Sequence, residues 1–126
     1  KNLRILQWAE MGTYQAIREF RSVDGGVLVQ DIDQVSEDIT GWRFIGESPE
    51  PETIQDLHFA WRSCAALKSN AISVCKGRQT LGLGMGQVNR IDAVKQALQR
   101  SREFHPNISQ TVLASDAFFP FPDSVE

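Results

Sequence analysis

The stretch Lys68-Ser69-Asn70-Ala71-Ile72-Ser73-Val74-Cys75-Lys76-Gly77-Arg78-Gln79-Thr80-Leu81-Gly82-Leu83-Gly84-Met85-Gly86-Gln87-Val88-Asn89-Arg90 decides the fold. Two short apolar runs, Ala71 to Val74 and Thr80 to Leu83, flank a connection at Lys76-Gly77. That is the pattern of a β-hairpin whose turn needs a residue with positive φ. The second run feeds a helix. Glycines 82, 84 and 86 leave one face of the segment bare, so another backbone or a flat ligand can approach closely. Asn89 can cap a helix from Arg90 to Phe104, with Ile91, Val94 and Leu98 inside and Lys95, Gln99 and Arg102 outside. His105-Pro106-Asn107 ends it, and Thr111 to Ala114 reads as a final strand that delivers Ser115-Asp116-Ala117-Phe118.

Working back from Lys68, Ile54, Leu57, Trp61, Cys64 and Leu67 recur at helical steps, which predicts a helix from Pro51 to Leu67 with one buried face. Glu47 to Glu52 supplies the proline and acids that suit a helix start. Further upstream, Leu3 to Leu6, Tyr14 to Val23, Val27 to Val29 and Trp42 to Gly46 read as strands. Asp24-Gly25-Gly26 forms a turn, and the continuous run Val27-Leu28-Val29 suits a central strand covered on both faces. Strands interleaved with helices predict an α/β fold, a mixed sheet covered by helices in one domain spanning 1–126.

The 126 residues have average hydrophobic and charged content and a net charge of −3 without a basic run. These values predict a globular chain and disfavour a nucleic-acid partner. No apolar run is long enough for a membrane span and no signal-peptide order is present at the start, which together fit a cytoplasmic protein. Both ends read as cut rather than finished, so the sequence is expected to be a fragment. Cys64 and Cys75 lack paired ligand spacing and read as buried thiols, so metal binding is disfavoured. Asp31, Asp33, Glu37 and Asp38 lack the glycine and terminal glutamate of a calcium loop and read as a solvated connection.

The glycine segment fails both phosphate-loop patterns. Counting from Gly84 the third dinucleotide-binding glycine is Asn89, counting from Gly82 it is Gln87, and no Gly-Lys-Ser/Thr follows. Arg90 offers a planar fork suited to amides, carboxylates and phosphates. Asn70, at the edge of an apolar run, is either a turn cap or a polar site residue. Phe118 to Phe121 is either core or ring cover, with Asp123 near enough to accept paired N–H bonds from an aminopyrimidine edge. His58 reads as a packed or surface histidine more readily than a base.

Lys68-Ser69-Asn70-Ala71, Gly84-Met85-Gly86-Gln87-Val88-Asn89-Arg90 and Ser115-Asp116-Ala117-Phe118-Phe119-Pro120-Phe121 closely resemble three motifs of aminoimidazole carboxamide ribonucleotide (AICAR) transformylase, part of the bifunctional enzyme that is also IMP cyclohydrolase. Gly25 to Asp31 resembles a fourth. The resemblance implies the second cytidine-deaminase-like repeat of the transformylase region: a mixed sheet between helices in three layers, without the deaminase zinc. It implies formyl transfer from 10-formyltetrahydrofolate, a co-substrate, to AICAR in purine synthesis, with no metal in the transfer and a homodimer as the assembly. By position, Asn70 is implied beside the reacting formyl group with Lys68 in support. Arg90 and Ile91 are implied to line the substrate and folate site, Phe118 and Phe121 to pack on bound rings, and Asp123 to hold folate polar atoms. The sequence departs from the family at Pro122, usually an arginine, and contains no Lys-His pair. The chain alone is therefore expected to be inactive, with the rest of the transformylase region supplying proton transfer. A non-catalytic ligand-binding or assembly module is the alternative.

Overall fold

In the computed structural model, residues 3–9, 17–36 and 38–119 are described. The chain divides into two compact units, Lys1–Gln34 and Val35–Glu126. In the first, strands β1 (Arg18–Val23) and β2 (Gly26–Asp31) pair antiparallel through a tight turn at Asp24-Gly25, where Gly25 has a φ of 74°. The expected strand at 14–23 is therefore shorter where described, and residues 14–16 lie outside the described residues. Val27, Leu28 and Val29 are not central: they are 57, 60 and 51 % exposed, because β2 has β1 as its ladder partner within a two-stranded sheet. Leu3 to Leu6 forms no strand, and Leu3, Ile5 and Leu6 are exposed.

The second unit carries the predicted core. Helix α1 (Pro51–Ala65) opens with proline at its first turn, and strands β3 (Ile72–Lys76) and β4 (Gln79–Gly84) form the hairpin. Its two-residue turn uses positive φ at both Gly77 (58°) and Arg78 (56°), where the sequence suggests one such residue. Positive φ at both central residues is the requirement of a type I′ hairpin turn. Helix α2 (Arg90–Phe104) begins at the Asn89 cap, whose Oδ1 accepts from the Asp92 N–H at 2.9 Å, and β5 (Val112–Ser115) closes the unit. Trp42 to Gly46 forms no strand. Instead Trp42 packs edge-on against Trp61, with ring centroids 5.5 Å apart.

Strand order is β4-β3-β5, antiparallel throughout. The expected mixed sheet is corrected accordingly: β4 and β5 run parallel to each other, but β3 lies between them. Side chains of β3 alternate. Ile72 and Val74 join Leu81 against Ala93, Val94 and Ala97 of α2, while Cys75 joins Val112 against Ala60 of α1. The helices thus cover opposite faces of the sheet.

Close approach explains the glycines. A Cβ at Gly82 or Gly84 would collide with the Ala97 or Ala93 carbonyl of α2. The bare face therefore receives a backbone, and α2 buries the small residues Ala93, Ala97 and Ser101 together with the expected Val94; Leu98 packs against the same core, and Ile91 is half-buried. On α1 the innermost stripe is Asp56, Ala60 and Cys64: Cys64 lies inside as its spacing implies and Leu57 packs against the Ala60 cluster, whereas Ile54, Trp61 and Leu67 are only half-buried. Asp56 belongs inside because its carboxylate accepts from the N–H groups of Gly77 (2.9 Å) and Arg78 (2.8 Å), tying α1 to the hairpin turn.

Candidate functional site

The segments before β3, after β4 and after β5 meet at one end of the sheet. Backbone hydrogen bonds lace them: Gly86 N–H to Lys68 O at 2.8 Å, Asn70 N–H to Gln87 O at 3.2 Å, and Asp116 N–H to Ala71 O at 3.2 Å. The Ser69–Asn70 peptide bond is cis. Gly86, with φ of 66°, lets the chain turn from β4 toward the α2 cap.

Side chains converge within that frame. Arg90 Nη2 donates to Asn70 Oδ1 at 2.9 Å, and Arg90 Nη1 donates to Ser115 Oγ at 2.8 Å and Asp116 Oδ1 at 2.5 Å. Asn70 Nδ2 donates to Gln87 O at 2.9 Å. Asp116 Oδ1 also accepts from the Ala71 N–H at 3.1 Å. The Arg90 and Asp116 side chains are only 11 and 17 % exposed, so the ion pair is little screened by water. Burial by itself pushes the Asp116 carboxyl up, but hydrogen bonds from Ser69, Arg90 and the Ala71 N–H outweigh it and hold the group below the usual carboxylate range.

Of the sequence-predicted residues, the structure brings Asn70 and Arg90 into direct contact. The Lys68 residue is exposed while its carbonyl is tied to Gly86, Ile91 is half-buried in the first turn of α2, and Phe118 is 79 % exposed. Phe119, not Phe118, is the ring that packs against the core. Phe121 and Asp123 lie outside the described residues, as does Pro122. Sequence reasoning missed Ser115 and Asp116 as partners of Arg90. Their presence in the third motif was the available signal, but no spacing rule joins positions so far apart in the chain.

The rest of the molecule is quieter. Cys64 and Cys75 are buried free thiols, and burial pushes Cys64 up to about 11. His58 is half-buried beside Trp42 and Trp61. Asp31, Asp33 and Asp38 are exposed, and among the described residues no group of three or more His, Cys, Asp and Glu could hold a metal ion. A surface cleft of about 710 Å³ lies against α1 and the hairpin turn, lined by residues such as His58, Arg62 and Arg78. It contains none of the converging groups, so the polar network, not this cleft, is the candidate site. Among the described residues no helix is long and apolar enough to cross a membrane.

Comparison with known proteins decides the family: residues 1–100 match the AICARFT/IMPCHase bienzyme. The chain belongs to that family. It is 45 % identical over its full length to the bifunctional purine biosynthesis protein PurH of Mycobacterium marinum. It is 44 % identical, again over its full length, to the protein of the same name from Desulfitobacterium hafniense. The chain spans 24 % of the length of each of these bienzyme relatives.

Proposed function

We propose that this chain is the part of a bifunctional purine biosynthesis enzyme that positions AICAR and 10-formyltetrahydrofolate for formyl transfer. The observation that carries the reading is the Arg90–Asn70 hydrogen bond at 2.9 Å, in a member of the AICARFT/IMPCHase bienzyme family. An amide held by a guanidinium is an oriented donor. In the reaction, the AICAR amine attacks the formyl carbon, the carbonyl oxygen takes on negative charge, and the bond to the folate nitrogen then breaks. An oriented N–H at that oxygen stabilises the charge as it develops. Holding both reactants in register contributes further, since the aminoimidazole amine is a weak nucleophile.

In this reading Asn70 is the donor, with Lys68 beside it. Arg90 and Ile91 line the substrate side, Phe118 and Phe121 cover bound rings, and Asp123 accepts from the folate edge. The exposed Phe118 ring fits a flat ligand. Two helices on opposite faces of one sheet support a cytidine-deaminase-like layered fold, and the reading includes a homodimer in the cytoplasm.

No Lys-His pair exists in the sequence, so proton transfer falls to another part of the enzyme. The test compares formyl transfer by the full-length parent and by the 126-residue chain. Turnover by the parent and none by the chain alone is the expected result. Full turnover by the chain alone, or none by the parent, contradicts the reading.

A further inference from the structure

We propose that Asp116 is a positioning residue for formyl transfer, acting through Arg90 to fix which edge of the Asn70 amide is offered to substrate. The inference rests on the formyl-transfer reading above and extends it to a residue with no assigned role.

The geometry carries it in three links. Asp116 Oδ1 takes both Arg90 Nη1 and the Ala71 N–H, while Ser115 Oγ accepts from the same Nη1. A guanidinium is a rigid plane, so anchoring one terminal nitrogen fixes the direction of the other. That other nitrogen, Nη2, donates to Asn70 Oδ1, and Asn70 Nδ2 donates to Gln87 O.

Only one amide orientation satisfies both neighbours. Reversing Asn70 would set its NH2 against the Arg90 donor and its oxygen against the Gln87 carbonyl. An amide NH2 carries two protons, and one is engaged by Gln87. The second is thereby held in a set direction, as a donor to a developing oxyanion must be. Remove the carboxylate and Arg90 loses its charged anchor, so the amide loses its reference. Asp116 need not touch substrate to matter.

The test uses the full-length enzyme as wild type, Asp116→Asn, Asn70→Ala and the double variant. Asp116→Asn keeps the shape and removes the charge; turnover is expected to fall about 100-fold, with KM for AICAR changed less than about threefold. In the Asn70→Ala background the same substitution should change turnover less than about twofold, because the group it orients is gone. A merely structural role would instead make the losses multiply. Full turnover in Asp116→Asn, or multiplying losses, overturns the inference. If circular dichroism shows Asp116→Asn unfolded, Asp116→Glu takes its place: it keeps the charge but displaces it by one methylene, so a folded variant with reduced turnover supports the inference and full turnover overturns it. Impaired Asn70→Ala beside intact Asp116→Asn removes the inference alone, whereas full turnover in Asn70→Ala removes the formyl-transfer role of Asn70 itself.

Discussion

Gly84 of β4 lies directly against the Ala93 carbonyl of α2, backbone to backbone. No side chain fits between them. Gly84→Ala must push the helix off the sheet and disturb the cluster of Ile72, Val74, Leu81 and Val94, an overpacking cost of about 1–3 kcal/mol. A lowered urea midpoint with an unchanged m-value is the expected result. An unaltered midpoint would mean that the helix and strand are not in such close contact.

Asp56 is 2 % exposed and satisfies two backbone donors of the hairpin turn. Replacing it with alanine removes both bonds and should cost about 2–4 kcal/mol, less than twice the contribution of about 1.5–3 kcal/mol from one hydrogen bond to a charged group, because water can reach the exposed turn. Hydrogen exchange at Gly77 and Arg78 should accelerate along with the loss of stability. Unchanged exchange at these two amides would remove Asp56 from the turn.

How much of this was legible in the sequence follows from where the restraints act. The β3–β4 hairpin and α2 were readable because their signals are local: a glycine turn between apolar runs, an asparagine cap, a helical period. Val27 to Val29 form a strand as expected but not a covered one, and Trp42 to Gly46 form none, because apolar composition does not say which neighbours cover it. The inner faces of both helices follow their apolar period only in part, for a related reason: Cys64, Val94 and Leu98 pack inward as their spacing implies, but small or polar residues share the most enclosed positions. Large residues suggest burial, but Gly82 and Gly84 invite small ones, and Asp56 is inside because of a turn about twenty residues away. At the site, Asn70 and Arg90 came from motif resemblance, whereas the Arg90–Asp116 pairing depends on how β5 returns beside β3.

Asp116 also predicts a pH dependence. Its carboxyl in the folded chain lies below the usual range, so folding favours the ionised form. The contribution is present above the unfolded value of about 3.9 and is lost as pH falls through the lower folded value. The nearby Cys64 thiol, pushed up to about 11 by burial, does not titrate in that window. The stability difference between wild type and Asp116→Asn should therefore be constant from about pH 5 to 7 and shrink in acid. A difference that grows in acid would reverse the sign and contradict the hydrogen-bonded carboxylate.

In the proposed reading Asn70 acts on the transferred group and not merely on the turn around it. Steady-state kinetics of Asn70→Ala in the full-length enzyme tests this most directly. Loss of one oriented donor predicts a fall in kcat of about 100- to 1,000-fold with KM for AICAR little changed. A folded variant with wild-type kcat, or one whose defect lies wholly in KM, would contradict it.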